Sequence, residues 1–298
     1  MPFFIQSMKQ VECKVDAFID YLFIDDGSTD DSLRIMKELS QTYKNVKYVS
    51  FSRNFGKEAA MYAGLCHAKG NYIVIMDVDL QDPPELIVTM YNEVTSGEYD
   101  CVATRRVTRK GEPPIRSFFA RCFYKTINKI SEIQIVDGAR DFRLMSRNYA
   151  DALLQMNEYN RFSKGLFSWI GFKTKWIEYE NVERIAGEAK WSFYKLIKYS
   201  IEGIVAFSTA PLLLSFVVGF SSCFIAALMA IYHMVKVTVW DYPVAGFPTL
   251  VCLLLMFGGI QLVFMGVIGQ YLSKMHIEIQ RRPIYICKES NIGNNFND

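Results

Sequence analysis

Three features of this 298-residue sequence predict an α/β protein: a mostly parallel sheet with helices on both faces, followed by a C-terminal two-helix transmembrane hairpin. Strand-like and helix-like segments alternate through the first half. Carboxylates and guanidinium groups gather where those strands end. Between Phe207 and Leu272, 66 residues, only Lys236 and Asp241 carry a formal charge.

The elements follow in order. Tyr21–Ile24 is a short apolar run ending at Asp25-Asp26-Gly27-Ser28. Ser28–Asp31 opens a helical pattern through Leu33, Met36 and Leu39, with an acidic first turn that suits the helix dipole. Val46–Phe51 is a second strand, and Lys57–Ala68 a helix stopped by Gly70. Tyr72–Met76 reads as a third strand, buried on both faces. Pro83-Pro84-Glu85 starts another helix. Tyr99–Thr104 is the fourth strand.

The membrane part is read from charge. Leu212–Val235 and Pro248–Leu272 are uncharged stretches of 24 and 25 residues. A bilayer core needs about 20 apolar residues, so each can span. The linker Lys236–Phe247, with Pro243 and Gly246, is short enough to make the pair a hairpin. Lys190, Lys195 and Lys198 precede it, and Lys274, Arg281, Arg282 and Lys288 follow. The positive-inside rule then places both termini and the soluble part on the cytoplasmic side of the cell membrane. Trp240 and Tyr242 suit the outer interface. The expected division is a soluble unit over 1–189, an interfacial amphipathic helix over 190–206, the hairpin over 207–272 and a cytoplasmic tail over 273–298.

Composition excludes several classes. At 51% hydrophobic residues the chain can fill a core, and a net charge of +2 argues against a nucleic-acid partner. Seven cysteines without a Cys-x-x-Cys read as reduced thiols. Met1–Ser7 has neither a basic region nor a sustained apolar run, so it does not read as a signal peptide. The mean hydropathy of +0.09 averages an apolar hairpin with a polar remainder carrying about 27% charged residues, a soluble composition.

The candidate site lies at the strand ends, where open α/β sheets bind ligands. They carry Asp25-Asp26, Arg53-Asn54, Asp77-Val78-Asp79 and Arg105-Arg106. Asp77 and Asp79 offer the oxygen ligands that Mg2+ or Mn2+ prefers, and such an ion commonly shares its shell with substrate phosphates. A metal-bridged diphosphate is a good leaving group. His67, His233 and His276 are scattered, which disfavours zinc. Neither a Gly-x-Gly-x-x-Gly fingerprint nor a P-loop is present.

Phe23-Ile-Asp-Asp-Gly-Ser, Ser52-Arg-Asn-Phe-Gly-Lys-Glu, Met76-Asp-Val-Asp-Leu-Gln-Asp-Pro and Asp141-Phe-Arg-Leu-Met-Ser-Arg together resemble family 2 glycosyltransferases with a GT-A fold. Arg184-Ile-Ala-Gly-Glu-Ala-Lys-Trp, Gly258-Gly-Ile-Gln and the hairpin make the chain similar to the bactoprenol glucosyltransferase and dolichyl-phosphate mannose synthase branches. The resemblance implies inverting transfer of a sugar, glucose from UDP-glucose first, from a nucleotide sugar donor to undecaprenyl or another polyprenyl phosphate, for glycosylation of cell-envelope polysaccharide. It implies that Asp26 holds the base or ribose, with Asp25 nearby, and that Arg53, Asn54 and Lys57 line the same pocket. Asp77 and Asp79 would bind Mg2+ or Mn2+, Gln81 would face sugar or diphosphate, and Arg106 would meet phosphate. Asp141 takes the position of the proposed catalytic base, with Arg143 beside it, and Arg184 and Lys190 could meet the lipid phosphate. A flippase, a second glycosyltransferase and self-association are the partners it leaves open.

The family opens with a strand resembling Val-Pro-Val-Tyr-Asn-Glu-Glu, whereas Met1–Gln6 aligns with the helix after it, so that strand is expected to be missing and a sheet edge exposed. Four other readings are open. An Asp-x-Asp phosphatase would continue Gly-Thr where Leu80-Gln81 stands, and a processive synthase would need more spans and a Gln-x-x-Arg-Trp motif. A truncated, inactive membrane partner and a GDP-mannose donor complete the set.

Overall fold

The computed structural model describes residues 1–106, 128–129, 134–179, 208–240 and 246–293. From the N-terminus run α1 (Pro2–Glu12), β1 (Tyr21–Asp25), α2 (Ser32–Thr42), β2 (Val46–Phe51), α3 (Lys57–His67), β3 (Tyr72–Ile75), α4 (Leu86–Thr95) and β4 (Cys101–Arg106). There follow β5 (Ala139–Ser146), α5 (Arg147–Gln155), α6 (Ser163–Trp169), β6 (Thr174–Tyr179), α7 (Ala210–Trp240), α8 (Phe247–Ile279) and β7 (Cys287–Ser290).

The strands form two sheets, ordered β1-β2-β7 and β3-β5-β4-β6. The expectation of a mostly parallel sheet is corrected here. Only β1–β2 and β4–β6 are parallel, while β2–β7, β3–β5 and β4–β5 are antiparallel. The reason is that β5 runs back between β3 and β4, and β7 returns from the apolar helices alongside β2. The expectation that Tyr72–Met76 is buried on both faces also fails. Among the described residues β3 is the edge of its sheet, paired with β5 alone, and Tyr72 and Val74 stay 39% and 36% exposed.

One apolar cluster ties the two sheets together. Phe4 and Met8 of α1, Phe23 of β1 and Met90 of α4 pack with Val102 of β4 and Phe142 and Leu144 of β5. Truncating a core aromatic such as Phe142, which is 1% exposed, costs about 3–5 kcal/mol in comparable cores. A second cluster joins β3, β4 and β5 to Tyr149 and Leu153 of α5 and to Leu166 of α6.

α7 and α8 have 31 and 33 residues. At 1.5 Å per residue each is about 45–50 Å long, more than the ~30 Å of a bilayer core. Their stretches Ala210–Met229 and Met256–Ile279 are long and apolar enough to cross one. Phe216 and Leu262, 68% and 70% exposed, show the pattern of helices whose apolar side chains point outward. The expected interfacial helix over 190–206 and the linker residues 241–245 lie outside the described residues.

Within the expected tail over 273–298, the described residues 273–293 continue α8 to Ile279 and then add β7 to the first sheet. Glu289 binds Lys37 of α2 at 2.6 Å and accepts from the Tyr48 hydroxyl at 2.9 Å. The Asn291 side chain accepts from Tyr48 N at 2.7 Å and donates to Val46 O at 3.2 Å. Tyr285 stacks on Phe51 with ring centroids 4.8 Å apart. The apolar helices are therefore anchored to the soluble part at their far end.

Gly27 fixes how the β1 turn meets the loop after β2. Its φ is +65°, and a Cβ there would lie 2.4 Å from the carbonyl carbon of Arg53. Gly97 also has positive φ, +81°, but open space around it. Gly97→Ala is expected to cost about 1–2 kcal/mol, the left-handed penalty alone. Gly27→Ala should cost clearly more, because backbone must also move. Equal midpoints for the two variants in denaturant unfolding would show that the turn does not rest on the Arg53 backbone.

Candidate active site

The register of β3 and β5 sets the centre of the site. Tyr72 faces Ser146 and Ile75 faces Arg143 across the antiparallel pair. Asp77 follows two residues past that pair and Asp141 precedes Arg143 by two, so the two strand ends bring both carboxylates to one place. Two carboxylates facing each other across strands repel. Lys57 resolves the conflict, with its Nζ 2.8 Å from Asp77 Oδ2 and 2.7 Å from Asp141 Oδ2.

Lys57 is the first residue of α3, where the helix dipole disfavours a cation. Two local carboxylates outweigh that. Burial pulls the Lys57 ammonium down, but Asp141 and Asp77 prevail and raise it above the ordinary lysine value. Burial likewise pushes Asp141 up, yet Lys57, with Lys164 and Arg143, holds its carboxyl below the usual aspartate range. Asp141 is therefore an anion at neutral pH and a poor proton donor. Glu58, next along α3, has its carboxyl raised by burial, against the Ser163 hydroxyl bond that lowers it and with nearby Asp141 adding to the rise.

The other strand-end residues divide by what their side chains do. Asp25 is 2% exposed and spent locally: it accepts from Ser28 N at 3.0 Å and from the Ser50 hydroxyl at 2.7 Å. Asp26 accepts from Phe55 N at 2.6 Å and Gly56 N at 2.9 Å, a carboxylate at the N-terminal end of α3 where the dipole favours it. Arg53 and Asn54 are exposed beside it, the Arg53 guanidinium lying 4.1 Å from the Phe55 ring. Asp79 accepts from Gln81 N at 3.1 Å across Leu80, whose φ of +56° is strained for a branched residue. Gln81 is nearly buried.

Arg106 has buried Nε and Nη2 atoms that meet no hydrogen-bond partner among the described residues. Gly138, at φ +77°, packs so closely that a Cβ would lie 2.5 Å from Arg106 O. Arg143 is 1% exposed, its guanidinium 3.3 Å from the Phe167 ring centroid. It donates to the carbonyls of Asp141 at 3.3 Å and Arg140 at 3.0 Å. It thus braces the backbone that carries Asp141 rather than opening to the site. Arg184 and Lys190 lie outside the described residues.

Sequence reasoning grouped Lys57 with the Arg53 loop and missed its bridging role, which depends on strand register. It also passed over Asp82, a buried carboxylate that accepts from Arg140 Nε at 3.4 Å and from the Tyr179 hydroxyl. Asp82 stands in the same motif as Asp77 and Asp79, and the proline after it was the available signal of a fixed turn. Asp77 and Asp79 present oxygen donors only, and among the described residues no three His, Cys, Asp or Glu come together as a metal cluster. That donor set fits a hard dication completing its shell from phosphate oxygens and does not fit structural zinc.

The sequence profile of Glycosyl transferase family 2 matches residues 10–154. CsbB of Bacillus subtilis (strain 168), provisionally named a glycosyltransferase, is 43% identical over 97% of this chain and 87% of its own length. The SfII prophage-derived bactoprenol glucosyl transferase of Shigella flexneri is 37% identical over 99% of this chain and 95% of its own. The prophage bactoprenol glucosyl transferase homolog of Escherichia coli (strain K12) is 38% identical over 97% and 94%.

Lys57→Met should lower turnover at least about a hundredfold at neutral pH, by leaving Asp77 and Asp141 uncompensated. The pair also links stability to pH. Asp141 is depressed, so its contribution is fully present above its ordinary value of 3.8 and is lost as pH falls through the lower folded value. The gap in urea-unfolding stability between wild type and Lys57→Met should hold steady from pH 7 to about 5 and close on further acidification. A gap that widens toward acid would show that Asp141 is not the partner that matters.

Proposed function

The chain belongs to glycosyl transferase family 2, and from that premise we propose that it transfers glucose from UDP-glucose to a polyprenyl phosphate, with inversion, at the cytoplasmic membrane surface. The observation that carries this reading is the near full-length likeness to bactoprenol glucosyl transferases, which takes in the soluble part and both apolar helices. The basic residues flanking those helices support a cytoplasmic soluble part with both termini on that side.

The nucleotide would lie over the Asp25-Asp26 turn with Arg53, Asn54 and Lys57, and Gln81 would face the sugar or diphosphate. Arg106, with two buried guanidinium nitrogens that meet no acceptor among the described residues, suits a phosphate oxygen. Asp77 and Asp79 would hold Mg2+ or Mn2+, which when bound stabilises the charge that develops on the departing diphosphate. Arg184 and Lys190 are the proposed contacts of the lipid phosphate.

The acceptor is a phosphate monoester with a second pKa near 6, so it is largely ionised at neutral pH. Its oxygen attacks the anomeric carbon, the bond from that carbon to the UDP oxygen breaks, and the electron pair leaves with UDP. No strong base is needed to make the nucleophile. Asp141, ionised and clamped to Lys57, instead orients groups and sets the local charge. Bringing two anions together is the harder task, and the cations of the site serve it.

Membranes containing the full chain, given labelled UDP-glucose, undecaprenyl phosphate and Mg2+, should form a glucosyl lipid that chelation of the metal abolishes. Parallel arms with GDP-mannose and other nucleotide sugars identify the donor. No sugar-lipid with any donor would contradict the reading. Asp141→Asn should lose turnover at every pH, and recovery to wild-type rates at high pH would restore a general-base role.

A further inference from the structure

Glu278 lies one residue from the end of α8, where the helix dipole disfavours an acid. Its carboxylate accepts three hydrogen bonds from one loop of the soluble part: Tyr159 N at 3.1 Å, Asn160 N at 3.0 Å and Asn160 Nδ2 at 3.2 Å. That loop, residues 156–162, leads into α6. Two more of its side chains reach one face of α3. Asn157 Oδ1 accepts from the Tyr62 hydroxyl at 3.3 Å, and the buried Arg161 guanidinium lies 4.6 Å from the Tyr62 ring centroid. Ser163, the first residue of α6, donates both its N–H, at 3.0 Å, and its hydroxyl to Glu58. Glu58 and Tyr62 are four residues apart on α3 and share a face. Lys57, which bridges Asp77 and Asp141, is the neighbour of Glu58.

We propose that Glu278 is a positioning residue for the transfer: by tying the 156–162 loop to the end of the second apolar helix, it fixes Ser163, Glu58 and the first turn of α3 that carries Lys57. The membrane anchor then does more than hold the enzyme near its lipid. It sets the alignment of the ion-paired centre. The inference rests on the sugar-lipid reading for its kinetic arm only.

The test uses the full chain in lipid nanodiscs with Glu278→Ala, Ser163→Ala and the double variant. Hydrogen exchange, which needs no substrate, reads the loop. Glu278→Ala should speed exchange of the amides over 159–166 about tenfold while the thermal midpoint holds. Turnover should fall about tenfold, with the donor KM moving less than about threefold. Glu278→Gln keeps one strong acceptor and should recover part of that turnover. The double variant should be no worse than the poorer single. Unchanged exchange in Glu278→Ala, or turnover losses that multiply in the double variant, would overturn the inference whatever the donor. Should Glu278→Ala not fold, Glu278→Gln against wild type decides, and equal exchange and equal turnover overturn it. A wild-type chain that forms no sugar-lipid overturns the functional reading, while the exchange result still stands on its own.

Discussion

Everything in the site depends on one ammonium group held between two carboxylates. Asp77 and Asp141 each lie within 2.8 Å of the same Lys57 Nζ, and like charges that close to one another repel, before solvent screening. Lys57 converts that repulsion into two short ion pairs. The site cannot exist as an assembly of anions alone.

The placement of α3 follows from the same requirement. Its first turn must present Lys57 to the second sheet, and three anchors hold it there. Asp26 grips the N–H groups of Phe55 and Gly56 just ahead of the helix. Glu58 is fixed by Ser163 at the start of α6. The apolar cluster of Ala59 and Ala63 with Val49 and Phe51 seats the opposite face on the first sheet. The helix therefore bridges the two sheets, and β7 ties the chain beyond the second apolar helix to the same first sheet. Arg143 contributes from beneath, bracing the Asp141 backbone from a fully buried position.

Local structure was legible in the sequence and long-range pairing was not. β2 matches its apolar run residue for residue, and β1, α3 and β4 fall within two residues, since each is bounded by Gly, Asp or Pro turns. The insertion of β5 between β3 and β4, the split into two sheets and the return of β7 depend on partners far along the chain. That is why a mostly parallel sheet and a buried third strand were expected and not found, and why the strand β7 within the expected tail was not foreseen. The strand-end cluster was legible as a candidate set, of which the structure brings Lys57, Asp77 and Asp141 into contact. Their individual roles were not. The burial of Arg143, the bridging by Lys57 and the docking of Glu278 depend on which neighbour each side chain meets.

The most direct measurement of the central claim is a double-mutant cycle on turnover with Lys57→Met, Asp141→Asn and the pair of substitutions together. If the ammonium and the carboxylate act as one unit, the double variant turns over no more slowly than the worse single variant. Losses that multiply would show two independent groups, and the ion-paired centre would not be what organises the site.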